Sequence, residues 1–144
     1  MGKLGSLVLT YNEADNINDC LASLEWVDEV VVIDSYSDDG TVELAEKHTN
    51  QFYQREFDDF ASQRNFGLDK LSTEWVLVVD ADERVTPELK TEIERILENP
   101  QAEGYKIPRK NYFLGRWIKY CGWYPDYTLR LFKKDNNRYS GLVH

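Results

Sequence analysis

The segment Glu74-Trp75-Val76-Leu77-Val78-Val79-Asp80-Ala81-Asp82-Glu83 decides the fold, because a valine-rich apolar run ends there in three carboxylates. Such a run is typical of a strand covered on both faces, which has no place for an unpaired acid, so the acids are expected at the strand's exit. Side chains alternate along an extended chain, and Asp80 and Asp82 are therefore predicted to point to the same side, roughly 6 to 7 Å apart. Two carboxylates at the carboxyl end of a buried strand suit a hard divalent cation that also binds phosphate oxygens; a solvated acidic turn is the simpler alternative.

The segments before this strand alternate between strand and helix patterns. Leu4 to Thr10 and Glu29 to Asp34 predict buried strands, and residues 51–55 predict a shorter one. Helices are predicted to begin after Asp15 or Asn16, at Thr41, after Asp58 or Asp59, and after Thr86, which Pro87 follows in the first turn. This alternation predicts an α/β fold with a parallel sheet and helices on both faces.

The helix after Asp59 carries a specific expectation about its two faces. Phe60 is predicted to face the core, whereas Gln63 and Arg64 are predicted to be more exposed.

The pattern changes after Pro100. Residues 104–110, 128–134 and 138–143 predict strands without intervening helices, separated by an aromatic loop at 112–127. We therefore expect one mixed α/β domain over 1–144, with a nucleotide-type parallel half at 1–100 and then strands and loops at 101–144 that add an edge or a second face. Because the last residues stop in mid-pattern, the chain is expected to be shortened at its carboxyl end.

The composition favours a single globular core. The chain has 144 residues, of which 42% are hydrophobic. The sequence has neither a long apolar run nor a signal-like amino terminus, so a cytoplasmic protein is expected. Cys20 and Cys121 have no paired spacing, which argues against a zinc site and against a disulfide framework.

The charge is divided unevenly along the chain. Residues 101–144 hold nine Lys and Arg against three Asp and Glu, which is a net charge of +6. Because the whole chain has a net charge of −9, residues 1–100 have a net charge of −15. An acidic amino-terminal part is not typical of a nucleic-acid binder. The basic, aromatic-rich part suits RNA, an anionic membrane surface, or a sugar and phosphate acceptor, although half of its aromatic side chains would also serve in a core.

Three successive strand exits carry polar clusters, and in an open α/β sheet they should converge on one crevice. The clusters are TYNE at 10–13, DSYSDDGT at 34–41 and DADE at 80–83, and QRN at 63–65 and WYPDYTLRLF at 123–132 follow in order. This constellation resembles the family 2 inverting glycosyltransferases of the GT-A fold, and among them the lipopolysaccharide-core β-glucosyltransferase-like subgroup.

The resemblance implies a UDP-sugar donor, a saccharide or glycolipid acceptor, and contact with the inner face of a membrane. It implies that Thr10, Tyr11 and Glu13 line the nucleotide pocket and that Asp34 meets the base or ribose. It also implies that Arg64 approaches the diphosphate from its helix. The simpler alternatives are that Asp34 only orders a turn and that Arg64 is a surface residue.

The metal and the base are also implied by the resemblance. Asp82 would be the firmest ligand of Mg²⁺ or Mn²⁺, with Asp80 near the ribose or the metal, and His144 could complete the site. Asp126 is the best candidate for the base that takes the acceptor's proton, unless it only orders a turn; in the subgroup a glutamate usually follows the Val-His pair. Arg130 is expected to face phosphate or to pair with an acid of the sheet.

Three other classes of protein remain open from the sequence alone. A HAD-type phosphatase also has four apolar residues followed by Asp-x-Asp, as at 76–82 here. Its chemistry requires Thr or Val two residues after the second aspartate, and Arg84 occupies that position. A nucleotidyltransferase usually opens with a glycine-rich loop, where this chain has Tyr11-Asn12-Glu13. A non-catalytic module that binds a sugar nucleotide and docks on a membrane is the alternative that is not an enzyme.

Overall fold

The computed structural model describes residues 3–106, 118–120 and 129–134. Within these residues the chain forms seven strands and four α-helices. In chain order they are β1 (Leu4–Thr10), α1 (Ile17–Ala22), β2 (Glu29–Asp34), α2 (Thr41–Glu46), β3 (Phe52–Gln54), α3 (Phe60–Leu68), β4 (Trp75–Asp80), α4 (Pro87–Glu98), β5 (Gly104–Lys106), β6 (Ile118–Tyr120) and β7 (Leu129–Lys133).

All of these strands join one mixed sheet in the order β3-β2-β1-β4-β7-β5-β6. The first four strands of this order are parallel to one another. Strand β7 adds to β4 in the antiparallel direction, and β5 and β6 continue the sheet in the same way. The predicted α/β class is therefore confirmed.

Strand β6 lies in a segment where only an aromatic loop was predicted, so that prediction is wrong at 118–120. The backbone explains the difference, since β6 pairs with β5 through residues 118–120. The predicted strand at 138–143, the outer part of the one at 104–110 and the rest of the aromatic loop lie outside the described residues.

The two faces of the sheet carry separate apolar clusters. One cluster packs β1, β2 and β4 against α1, α2 and α4, with Val8, Val32 and Val79 in its centre. The other packs the opposite faces of the same strands against α3, through Leu7 and Val78 among others. Since both faces of the central strands are covered, their nearly continuous apolar runs follow from the fold.

Two of the three predicted side-chain caps form. Asp59 accepts a hydrogen bond from the Ser62 backbone N–H, and Thr86 accepts one from that of Leu89. Asn16 occupies the cap position of α1 without such a bond. Its side-chain amide instead donates to Glu13 Oε1 at 2.9 Å, which ties the start of α1 to the loop after β1.

Helix α3 lies close to the sheet, and its buried face differs from the predicted one. A Cβ added to Gly67 would come within 2.3 Å of Leu7 Cδ1, so only glycine permits this approach. Gln63 and Arg64 are buried and Phe60 is 55% exposed, so both predictions for this helix were wrong. Polar partners explain the burial of Gln63, whose amide donates to Ser35 Oγ and to the Arg55 carbonyl, both at 3.1 Å.

The helices of the described part of the chain are all too short or too polar to cross a membrane.

Candidate functional site

The predicted site residues of three strands meet at the carboxyl edge of the sheet. Strands β1, β2 and β4 end at Thr10, Asp34 and Asp80. Thr10 pairs with Asp34 in the sheet register, and Asp80 pairs with Leu9 on the other side of β1. The convergence expected from the sequence is therefore present, because parallel neighbours bring their last residues to the same edge.

Hydrogen bonds join the loops after β1 and β2 into one unit. The Asn12 backbone N–H donates to Ser37 Oγ at 2.7 Å, and Asn12 Oδ1 accepts from the Asp38 N–H at 2.9 Å. The Glu13 N–H donates to Thr41 Oγ1 at 3.0 Å. Asn12 adopts a left-handed conformation with φ 51°, which asparagine tolerates better than most residues.

Asp34 is fully buried, and its carboxylate is bonded within the protein. Its Oδ2 accepts from the Ser37 N–H at 2.8 Å and from Gln54 Nε2 at 3.1 Å, and its Oδ1 accepts from Ser37 Oγ at 2.5 Å. Asp34 thus fixes the loop after β2 and connects it to β3. Gln54 could not be predicted as a partner of Asp34, because it lies 20 residues away on another strand.

Two exposed tyrosines stand on the joined loops. Tyr11 is 59% exposed and Tyr36 is 58% exposed. Tyr36 adopts a left-handed conformation with φ 61°, which is costly for an aromatic residue, and its neighbours hold it there. The Ser35 N–H donates to the Thr10 carbonyl at 3.0 Å, and Ser37 is bonded to Asp34. No role was predicted for Tyr36. A bulky aromatic residue inside a turn-rich segment was the feature that could have marked it as a candidate contact residue.

Thr10 presents a buried hydroxyl at this edge. Its side chain is 5% exposed, and Oγ1 has no hydrogen-bond partner among the described residues. A buried hydroxyl without a partner costs free energy, so it is a natural contact for a polar ligand group.

Asp80 lies between two buried arginines from different elements. Arg64 on α3 places Nη2 at 3.9 Å from Asp80 Oδ1, and Arg130 on β7 places Nη1 at 3.9 Å from Asp80 Oδ2. The two arginine side chains are 6% and 5% exposed, and that of Asp80 is 27% exposed. Arg64 also lies over the Phe60 ring, with Cζ 5.9 Å from the ring centroid.

Arg130 pairs with an acid of the sheet edge, which decides the alternative left open by the sequence. Its Nη2 is in direct contact with Glu83 Oε1, and that oxygen also accepts the Asp80 backbone N–H at 2.9 Å. No role was predicted for Glu83, although it belongs to the DADE cluster at 80–83. Its signal was its place in a run of acids, whereas its partner lies 47 residues away.

The chain turns immediately after Asp80, so the premise of a continued extended strand through Asp82 was wrong. The Glu83 N–H donates to the Asp80 carbonyl at 2.9 Å, which closes a turn over residues 80–83. Asp82 lies exposed in this turn. The alternation of side chains along a strand therefore does not determine the relative positions of Asp80 and Asp82.

A buried thiol adjoins the same turn. Cys20 Sγ donates to the Asp80 carbonyl at 3.6 Å. Burial raises the pKa of Cys20 to about 12, and the negative charges of Glu83, Asp80 and Asp82 add to this effect.

The donor set at this turn suits a cation only together with a ligand. No group of three or more His, Cys, Asp and Glu side chains that could hold a metal is found within residues 3–106, 118–120 and 129–134. Mg²⁺ is commonly held by one or two carboxylates and completed by substrate phosphates, and Asp80 and Asp82 fit that pattern. The predicted base Asp126 and the predicted ligand His144 lie outside the described residues.

Comparison with known families and proteins identifies relatives over most of the chain. The family described as glycosyl transferase family 2 matches residues 7–143. The lipopolysaccharide core biosynthesis glycosyltransferase LpsC of Rhizobium meliloti is 29% identical over 98% of this chain and 55% of its own length. An uncharacterised glycosyltransferase of Rickettsia felis is 34% identical over 73% of this chain and 38% of its own length. The chain thus spans about half, or less, of the length of these relatives.

Solved structures share the fold. The mannosyltransferase PcManGT of Pyrobaculum calidifontis, in complex with GDP-Man and Mn²⁺, is 25% identical over 93% of this chain and 45% of its own, with a TM-score of 0.64. S. aureus TarS 1–349, in complex with UDP-GlcNAc, is 27% identical over 71% of this chain and 33% of its own, with a TM-score of 0.59. Glucosyl-3-phosphoglycerate synthase of Mycobacterium tuberculosis has a TM-score of 0.67 over 93% of this chain and 57% of its own, and at 15% identity it shows the fold alone.

Proposed function

The chain belongs to glycosyl transferase family 2, and we propose that it carries the donor site of an inverting, metal-dependent hexosyltransferase. The donor is a UDP-sugar of the UDP-glucose type, and the acceptor is a hydroxyl group of a saccharide or glycolipid. The observation that carries this proposal is the meeting of the β1, β2 and β4 ends at one edge, with Asp80 held between Arg64 and Arg130. The family match favours this class over the phosphatase and nucleotidyltransferase alternatives.

Two relatives support a nucleotide-sugar donor. TarS 1–349, at 27% identity, has been solved with UDP-GlcNAc. PcManGT, at 25% identity, has been solved with GDP-Man and Mn²⁺. Both comparisons span more than two thirds of this chain, so a nucleotide diphosphate sugar is the natural donor class here.

The nucleoside part of the donor would contact the loops after β1 and β2. Thr10 offers a buried hydroxyl that has no hydrogen-bond partner within the described part of the chain, and Tyr11 offers an exposed ring on which a base can stack. Glu13 is held beside them through its backbone bond to Thr41. Asp34 is buried and bonded to Ser37 and Gln54, so it keeps this surface in shape, as the alternative of a turn acid predicts. Its direct contact with the base or ribose stays a prediction of the resemblance.

The diphosphate would lie at the β4 end. Asp80 and Asp82 would hold Mg²⁺ or Mn²⁺, with Arg64 adding positive charge from α3. When bound, the ion would neutralise the negative charge that develops on UDP as the glycosidic bond breaks. An inverting transfer would require these side chains to orient the donor so that its anomeric carbon is open to attack from the face opposite UDP.

The acceptor side rests on the prediction that Asp126 takes the proton of the attacking hydroxyl. His144 remains a predicted further metal ligand. The relationship to LpsC, a lipopolysaccharide core glycosyltransferase, favours a glycolipid acceptor at the cytoplasmic face of a membrane. The balance of +6 over residues 101–144 favours peripheral contact with anionic lipid, which would weaken as salt is raised.

Calorimetric titration of UDP with and without Mn²⁺ tests the donor site. We expect binding that Mn²⁺ strengthens and that Asp82→Ala weakens by about tenfold or more, because the substitution removes a metal ligand. Glu94→Ala is the matched control, since it removes an exposed carboxylate from the carboxyl-terminal half of α4. Absent UDP binding, or binding that ignores both Mn²⁺ and Asp82, would contradict the proposal.

A second assay separates an enzyme from a binding module. We expect the chain, or a longer form that reaches past His144, to release UDP from UDP-glucose in the presence of acceptor. UDP binding without release in either form would instead support a non-catalytic module that binds nucleotide sugars.

A further inference from the structure

Glu83 joins the turn after β4 to the strand β7. Its Oε1 accepts the Asp80 backbone N–H at 2.9 Å and is in direct contact with Arg130 Nη2. The side chain of Glu83 is 11% exposed and that of Arg130 is 5% exposed, so this ion pair is largely shielded from water. One carboxylate thereby sets the shape of the turn and the position of a guanidinium group.

Asp80 is not the direct partner of Arg130 in this pair of contacts. Arg130 Nη1 is 3.9 Å from Asp80 Oδ2, and Arg64 Nη2 is also 3.9 Å from Asp80 Oδ1. A direct charged hydrogen bond measures about 2.7 to 2.9 Å, so both groups stop about 1 Å short of one. The arginine that could take both oxygens of Asp80 is held instead by Glu83.

This arrangement matters because a guanidinium group and a divalent cation compete for the same carboxylate oxygens. Arginine binds carboxylates through a planar fork, and a buried arginine needs a negatively charged partner. Without the charge of Glu83, Arg130 would need to move only a short distance to bind Asp80 directly. An Asp80 bound in that way would be a poor metal ligand.

We propose that Glu83 is a positioning residue that keeps Arg130 off Asp80, so that the Asp80 carboxylate serves a divalent cation. This inference rests on the proposed function, in which Asp80 and Asp82 hold the ion. Glu83 acts through Arg130 and touches neither donor nor acceptor.

A purely stabilising ion pair makes a different prediction from a positioning one. Glu83→Gln removes the charge while leaving an oxygen that accepts the Asp80 N–H, so the turn bond is retained. If the pair only stabilises the fold, each folded variant keeps the wild-type gain in UDP affinity on adding Mn²⁺. If Glu83 restrains Arg130, the gain is lost in Glu83→Gln and returns when Arg130 is also replaced.

The experiment measures the ratio of UDP affinity with Mn²⁺ to that with EDTA, below the melting temperature of each variant. For Glu83→Gln we expect this ratio to fall by at least about tenfold. For the double variant Glu83→Gln with Arg130→Met we expect a ratio within about threefold of wild type, since position 130 no longer carries a charge that can bind Asp80 and Arg64 is unchanged from wild type. Arg84→Ala is the control, because Arg84 directly follows the turn and the substitution breaks only an exposed pair with Asp19 on α1.

The possible outcomes separate the two proposals. A wild-type ratio in Glu83→Gln, or a low ratio in the double variant, overturns this inference and leaves the proposed function standing. A wild-type chain that binds UDP no better with Mn²⁺ contradicts the metal dependence of the proposed function, and this inference falls with it. If Glu83→Gln does not fold in plain buffer, its ratio is measured in a stabilising osmolyte such as sucrose, with the wild-type chain in the same buffer. A low ratio in the double variant overturns the inference in either buffer.

Discussion

The ends of β2 and β4 are built in two different ways at the same edge of the sheet. Asp34 at the end of β2 is fully buried and satisfied by Ser37 and Gln54, mostly within its own loop. Asp80 at the end of β4 is partly exposed and surrounded by charges from α3 and β7. The first end is a rigid support, whereas the second depends on elements far apart in the chain and presents charge to a ligand.

The largest expected effect comes from breaking the β2 end. Asp34→Ala leaves the Ser37 N–H and hydroxyl without their buried acceptor, so we expect the free energy of unfolding to fall by about 2 to 4 kcal/mol. Chemical denaturation monitored by circular dichroism measures this change. Asp38→Ala, an exposed acid in the same loop, is the control and should shift stability by less than about 0.5 kcal/mol. Equal losses in both variants would show that Asp34 is not the support.

The β4 end should respond in the opposite sense. In Asp80→Asn, Glu83 still pairs with Arg130, so we expect the unfolding free energy to fall by about 1 kcal/mol or less. UDP affinity in the presence of Mn²⁺ should fall by about tenfold or more, because a metal ligand loses its charge. Calorimetry and denaturation on the same protein give both numbers. A variant that lost stability as Asp34→Ala does and kept its affinity would reverse the comparison.

A smaller effect sharpens the comparison within the β2 end itself. Tyr36→Gly relieves a left-handed backbone at φ 61°, so stability should stay constant or rise by up to about 1 kcal/mol. If the exposed ring contacts the nucleotide, UDP affinity should fall by about three- to tenfold.

A glycine with the same left-handed backbone, Gly40, provides the control for Tyr36→Gly. Gly40→Ala places a side chain at φ 101°, and it should lower stability by about 1 kcal/mol through the same backbone effect. Unchanged affinity in Tyr36→Gly would remove the ring from the site.

Features that depend on nearby residues could be predicted from the sequence. The bounds of β1 and β2 were predicted as observed, because their apolar runs stop at Thr10 and Asp34. The Thr86 cap was likewise predicted, since a cap is formed within one turn of helix. The meeting of three polar clusters followed from the rule that parallel strands share an edge.

Features that depend on distant partners could not be predicted in this way. Arg64 looked like a surface residue of α3, but Asp80 on β4 and the close approach at Gly67 place it inside the protein. Glu83 and Arg130 are 47 residues apart in the sequence, so no local sequence pattern predicts that they pair. The turn after Asp80 was only the alternative prediction, because the alternation of an extended strand was assumed to continue through Asp82, beyond the end of the apolar run at Val79.

The most direct test of the central claim is a map of where UDP and a divalent cation bind. Nitrogen–proton correlation NMR of the ¹⁵N-labelled chain, titrated with UDP and Mg²⁺, should shift the amides of residues 10–13, 35–41 and 80–83 together. Replacing Mg²⁺ by trace Mn²⁺ should broaden the amides of 80–83 most strongly, because paramagnetic relaxation falls steeply with distance. Shifts or broadening centred on the opposite edge of the sheet, near Lys3 and Ser72, would contradict the account.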